Sequence, residues 1–207
     1  EETVYTSDIP SNQIDNWLKI EAEKFRKPIL RLFHTELEAV YEEKNRSLDS
    51  DGSRAWDSLI SGLFKKHNYG LQTTIGTVEH LKNPSMKEIR AYYDKYYVAN
   101  NMAIIMSGDL EYEATIKLID FHFGKMIPKA VQPYTFSAED PITKTTFKEV
   151  FGPKAEDLLI GFRFLGSKTK ESKMLALIAR ILFNQKAGIM DEHLFLKQKV
   201  QECGAFE

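Results

Sequence analysis

Cysteine is nearly absent from this 207-residue sequence, and long apolar runs are missing. Cys203 is the single cysteine, which excludes an internal disulfide and any metal site built from paired cysteines. No apolar run approaches about 18 residues, so no transmembrane segment is predicted. An excess of one charge sign is also lacking, because the formal net charge is −2. The composition therefore gives no indication of binding to nucleic acid or to an anionic membrane.

Aromatic and aliphatic residues are plentiful. The sequence has 13 Phe, 9 Tyr and 43% apolar residues, enough for one large domain or two small ones. Its glycines do not form a phosphate-binding loop: the stretch from His67 to Gly76 has only two of them, Gly70 and Gly76, and the spacing is wrong.

The stretch from Phe33 to Leu48 is the most informative. At helical spacing its apolar residues form one stripe. Glu36 and Glu43 are seven residues apart, within about 20° of each other around the helix axis, and are predicted along the edge of that stripe. A carboxylate there needs a metal, a basic side chain or backbone N–H groups as partner, unless its head is simply solvated. Spacing alone leaves these alternatives open.

The remaining pattern mixes helices and strands. Apolar residues at helical spacing predict helices at 14–25, 33–48, 55–64, around 89–96, at 113–123, 170–185 and 190–200. Short apolar or alternating runs predict strands at Val4–Ile9, Met102–Met106, Phe147–Phe151 and Asp157–Phe164. Three prolines, Pro128, Pro133 and Pro141, indicate a linker. The final segment has too few elements to cover its helices, so we expect the chain to be truncated there.

Several runs resemble the pitrilysin/insulinase (M16) family of zinc peptidases. The runs are ELEAVYEEKN (36–45), LFKKHNYG (63–70), IGTVEHLKN (75–83), YYDKYYVANNMAIIMSGDL (92–110) and, after the linker, LLIGFRF and AGIMDEHL. The resemblance covers nearly the whole chain, and it depends on the order of these runs more than on any one of them.

The resemblance implies an α+β fold of the M16 metallopeptidase (LuxS/MPP-like) type. Half-repeats, each with an antiparallel-rich sheet packed with helices, are expected, truncated at both ends. Residues 1–127 would be the C-terminal part of a first, zinc-carrying half. Residues 128–145 would be the linker, and residues 146–207 the N-terminal part of a second half.

The resemblance also implies a zinc site. In the family, two histidines of an HxxEH motif and a glutamate hold the metal, and the motif's Glu is the general base that acts on the metal-bound water. The third ligand corresponds to Glu43, and Glu36 to an acidic residue that supports the ligands from behind. This sequence contains no HxxEH, and its five histidines are scattered. No catalytic residue is therefore expected within it, and the general base would lie upstream.

Two functions follow from the resemblance. The chain is part of a zinc-dependent endopeptidase that cleaves a peptide or protein substrate, inactive alone and without bound Zn²⁺ by itself. Alternatively, it belongs to a non-catalytic M16-like partner or structural subunit that binds a catalytic chain. A second M16-type chain is a candidate partner, and a nucleic acid is not. The bacterial type of the resemblance favours the cell envelope or periplasm over the cytoplasm.

Overall fold

The computed structural model describes residues 2–207, and helices are the regular secondary structure of that range. The α-helices are α1 (Ile14–Arg26), α2 (Phe33–Asp49), α3 (Asp51–Leu63), α4 (Asn68–Leu71), α5 (Val78–Lys82), α6 (Met86–Tyr96), α7 (Tyr112–Phe123) and α8 (Lys170–Leu182). Short 3₁₀ turns occupy Ser11–Gln13 and Ala99–Asn101, and one π-helical turn occupies Asp191–Phe195. None of the helices within residues 2–207 has the length and apolar character needed to cross a membrane.

Side-chain caps determine where several helices begin. Ser50 separates α2 from α3 with a single extended residue, and its hydroxyl oxygen accepts the N–H of Ser53 at 3.3 Å. Thr77, Ser85 and Thr169 cap α5, α6 and α8 in the same way. Each cap satisfies a backbone N–H that has no partner inside the helix. The caps at Ser50 and Ser85 let α3 and α6 begin with only one and three residues between them and the preceding helices.

The helices pack as two neighbouring groups. Helix α1 packs against α7, while α2 contacts α3 and α5, and α3 contacts α4. The most deeply buried apolar side chains are Leu18 at 0% exposure, Val98 at 3% and Ala22 at 5%. Leu18 and Ala22 are four residues apart on α1 and so share the face that packs against its neighbours.

The predicted α+β fold with an antiparallel-rich sheet is wrong for this structure. The four predicted strands are extended or irregular, and no strand forms anywhere within residues 2–207. Within the run Met102–Met106, which was predicted as a strand from its apolar residues, Ile105 is 91% exposed. A strand requires a neighbouring strand to receive its backbone hydrogen bonds. Apolar runs alone cannot guarantee that neighbour.

The extended segments after the predicted linker lie along α3 instead of pairing with each other. The Lys148 ammonium donates a hydrogen bond to the Ser58 carbonyl at 3.1 Å. The backbone N–H of Lys154 donates one to the Asp51 carboxylate, also at 3.1 Å. The Arg163 guanidinium donates to the carbonyl of Leu63, the last residue of α3. Polar contacts with a helix thus replace the expected strand ladder. Whether 128–145 acts as a linker between two units stays a prediction.

Candidate functional site

Helix α2 carries the two predicted site residues, Glu36 and Glu43. It begins at Phe33, directly after Leu32, whose backbone is left-handed with φ at 59°. Glu36 lies in the first turn, where the positive end of the helix dipole favours a carboxylate. The helix continues for 17 residues. Glu36 and Glu43 therefore lie on one face of a continuous helix, two turns apart.

Both carboxylates face solvent. Glu36 and Glu43 are exposed, and within residues 2–207 neither side chain forms a hydrogen bond or an ion pair. Val40, the apolar residue between them on α2, is itself 36% exposed. The structure therefore brings the pair to an open face of α2, whereas the sequence predicted the margin of a buried one.

A neighbouring face of α2, about 100° round the helix from Glu43, is held by a residue that the sequence analysis missed. Lys44 is only 6% exposed, and its ammonium donates to the Thr73 hydroxyl at 3.3 Å. Next to it, Lys82 of α5 lies over the Tyr41 ring at 5.9 Å. Lys44 continues the stripe of Leu37 and Tyr41 at spacings of four and three residues, and this was the signal available in the sequence. These contacts turn α2 so that the neighbouring Glu43 points outward.

The histidines are engaged elsewhere. The His67 ring contacts Tyr69 and Phe136 at centroid distances of 4.2 and 4.4 Å, and its Nδ1 accepts the Tyr69 N–H at 3.1 Å. His122 Nε2 is hydrogen-bonded to Asp15 at 2.7 Å. The exposed histidines are His34, His80 and His193. Three of the five histidines are therefore surface residues, and the other two are held by ring contacts or hydrogen bonds.

These positions test whether the chain alone fits a zinc ion. A catalytic zinc site requires three protein ligands that converge on one point. Across residues 2–207, no group of three His, Cys, Asp or Glu side chains is close enough to hold a metal. Glu43 has free oxygens to offer, but the described residues supply no second and third ligand beside it. Residues 2–207 therefore do not form a complete zinc site by themselves.

A second cluster of charged groups joins the extended region to the end of α3. The Glu139 carboxylate accepts the backbone N–H groups of Lys65, Lys66 and His67 at 3.0, 2.6 and 2.8 Å. Arg163 lies 3.5 Å away from it. Burial alone would raise the pKa of Glu139, but the three N–H donors and the Arg163 charge outweigh it and lower that pKa to about 2. Glu139 therefore has a structural role: its carboxylate holds the backbone of residues 65–67 in place.

The comparison with protein families decides the identity of the chain. The family model described as "Peptidase M16 inactive domain" matches residues 85–206, more than half of the sequence. The chain belongs to the M16 peptidase family. This confirms the resemblance seen in the sequence, and these 207 residues contain no HxxEH motif. The matched range begins after α2, so Glu36 and Glu43 lie outside it.

Two proteins with names of zinc proteases match the chain at low identity. The zinc protease PqqE of Helicobacter pylori is 22% identical over 173 residues, which cover 81% of this chain and 39% of that protein. The probable zinc protease PqqL of Haemophilus influenzae is 27% identical over 118 residues, 49% of this chain and 11% of that protein. This M16 chain therefore spans well under half of the length of either relative.

The match with the Helicobacter pylori protease bears on α2. An alignment that covers 81% of this chain includes position 43 wherever it begins. The part of the chain that carries Glu43 is thus similar to a zinc protease, although the inactive-domain match does not reach it. The chain is related to proteases along most of its length, and the role of its two carboxylates is a separate question.

Proposed function

We propose that this M16 chain is part of a zinc-dependent endopeptidase, to which Glu43 contributes the third metal ligand. Glu36 supports that ligand from the same face of α2. The two histidines and the general base lie outside these 207 residues, because the sequence contains no HxxEH. The substrate is a peptide or protein, and the isolated chain is inactive.

The availability of Glu43 is the observation that carries this proposal. A carboxylate that accepts several backbone N–H groups, as Glu139 does, has fewer lone pairs left for a metal. Within residues 2–207 Glu43 has no such partner and is exposed. Both of its oxygens therefore remain free to accept a metal.

Two further features support the proposal. The two relatives described above are named as a zinc protease and a probable zinc protease. Glu36 lies on the same face as Glu43, two turns earlier, and also has no partner among residues 2–207. A carboxylate behind a metal ligand typically orients that ligand and raises its basicity.

The test is a pair of substitutions in the complete natural protein. We expect Glu43→Gln to abolish most zinc binding and peptidase activity, because a neutral amide is a poor zinc ligand. Glu42→Gln is the matched control, since Glu42 is the adjacent exposed residue of α2 and points about 100° away. Glu36→Gln should lower activity or metal affinity by about 10- to 100-fold. Zinc content after gel filtration and cleavage of a fluorogenic peptide are the two measurements.

The comparison with the Glu42→Gln control can refute the role of Glu43 as a metal ligand. Equal zinc content and equal cleavage in the Glu43→Gln and Glu42→Gln proteins would make Glu43 an ordinary surface carboxylate. In that case zinc, if present, would be held entirely by other residues.

A non-catalytic subunit is the second candidate function. The observation that favours it is the match of residues 85–206 to a domain described as inactive. In this case HxxEH would be missing from the complete protein as well, and a catalytic M16-type chain would be its partner. Sequencing the gene upstream of the codon for Glu1 separates the two functions. An upstream HxxEH favours the peptidase, and a related upstream domain without it favours the subunit.

A further inference from the structure

A cavity of about 350 Å³ opens between α1 and the end of α7. It is lined by Lys19, Ala22, Glu23, Arg26, Phe121, His122 and Lys125. The volume is within the range of small-molecule sites in proteins, about 300–1,000 Å³. Neither Glu36 nor Glu43 lines the cavity, and the proposed peptidase function does not use it.

The spacing of the lining residues explains the cavity. Lys19, Ala22 and Arg26 are three and four residues apart, so they lie on one face of α1. Ala22 is 5% exposed, and its small side chain leaves room where a larger residue would fill the contact between the helices. His122 and Asp15, 2.7 Å apart, tie α7 to α1 beside this space.

The cavity is lined by more positive than negative side chains. Arg26 forms an ion pair with Glu23, and His122 is hydrogen-bonded to Asp15. For the ammonium groups of Lys19 and Lys125, the part of the chain from 2 to 207 supplies no hydrogen bond or ion pair. Two positive charges therefore remain available around the cavity in a chain whose net charge is −2.

The remaining wall is apolar. Phe121 lines the cavity and is 74% exposed, which leaves much of its ring uncovered. Together with Ala22 it offers an apolar surface next to the two lysines. A ligand that pairs with the lysines and also contacts the apolar surface has a negatively charged group attached to a small apolar group.

We propose that this cavity binds a carboxylate carried on a small apolar or aromatic group. The carboxylate pairs with Lys19 and Lys125, while the apolar group contacts Phe121 and Ala22. Two sources offer this chemistry: a free organic acid, and the C-terminus of a polypeptide that ends in an apolar residue.

Binding of defined probes to the purified 207-residue chain and to the complete protein tests the proposal. The probes are 3-phenylpropionate, the peptide acetyl-Gly-Gly-Phe with a free carboxylate, and the same peptide as its C-terminal amide. We expect both carboxylates to bind, measured by calorimetry or by NMR chemical shifts, and the amide to bind at least tenfold more weakly. Binding should weaken as salt increases, because the contacts are partly exposed charges.

Substitutions locate the binding. Lys19→Ala and Lys125→Ala should each weaken the binding of the two carboxylate probes by about two- to fivefold. The double variant should weaken it by roughly tenfold, as for other partly exposed charge pairs. Lys117→Ala is the matched control, since Lys117 is an exposed residue of α7 outside the cavity. All three lysines are exposed, so the variants should keep the circular dichroism spectrum of the wild type.

The outcomes separate the sources and can overturn the proposal. Similar affinities for 3-phenylpropionate and the peptide support a free-acid site, whereas a clearly tighter peptide supports recognition of a polypeptide C-terminus. Equal binding of acid and amide overturns the proposal. So does no binding at millimolar concentration, or an equal effect of the Lys117→Ala control.

Discussion

Leu18 offers the sharpest test of how α1 is held. Its side chain has 0% exposure, the lowest among the buried apolar residues. Ile20 is on the same helix and is 65% exposed. Substituting each of them with Ala removes apolar atoms from the same helix in two different environments. The difference between the two variants therefore measures burial, since the change in helix propensity is small for both.

The expected cost follows from the atoms removed. Leu18→Ala deletes three buried carbon atoms, worth about 0.8 kcal/mol each, and leaves a space that the neighbours fill only in part. We expect the free energy of unfolding to fall by about 2–4 kcal/mol. Ile20→Ala should cost less than about 1 kcal/mol, because most of that side chain is already in water.

Urea unfolding followed by circular dichroism measures both values. With a slope of about 2 kcal/mol per molar urea, Leu18→Ala should lower the midpoint by about 1–2 M. Its slope should stay that of the wild type, so that the midpoint reports stability alone. Costs for the two variants within about 0.5 kcal/mol of each other would refute the packing of α1 described above.

Two other predictions concern the extended region. Because its native pKa of about 2 is below the ordinary value of 4.5, Glu139 stabilises the fold above pH 4.5 and loses that contribution as the pH falls through 2. The urea midpoint should therefore fall over this window in the wild type and in a Glu149→Gln control, and fall less in Glu139→Gln; equal profiles would contradict this. If residues 128–145 are a linker, limited trypsin digestion should cut first at the exposed Lys144, and a first cut within α8, at Lys173, would count against it.

Local apolar spacing predicted the helices well. Helix α2 was predicted at 33–48 and spans Phe33–Asp49, and α7 was predicted at 113–123 and spans Tyr112–Phe123. Spacing succeeds because a helix makes its backbone hydrogen bonds within itself. The predicted helix at 190–200 is wrong beyond one π-helical turn, Asp191–Phe195. There the Asp191 carboxylate accepts the N–H groups of Asn184 and Gly188, at 3.0 and 2.9 Å, and holds the turn against the preceding loop.

Contacts between distant parts of the chain could not be predicted from the sequence. Glu139 binds N–H groups that lie 72 to 74 residues before it, and His122 meets Asp15 across 107 residues. No local pattern marks either pair, because each residue type is common on a surface. The predicted strands were wrong for a related reason, since a strand depends on a neighbour that its own residues do not specify.

The orientation of Glu43 also depends on a contact between distant residues, so it could not be predicted from the sequence either. The spacing of seven residues fixes that Glu36 and Glu43 share a face, whatever surrounds the helix. It does not fix whether that face is buried or open. The choice is made by Lys44, one residue and about 100° further round the helix, whose ammonium is held by Thr73, 29 residues away. A buried lysine needs such a polar partner, so its contact determines how α2 is turned. The exposed position of Glu43 is therefore a property of the packing of α2, and it was not available from the helix sequence alone.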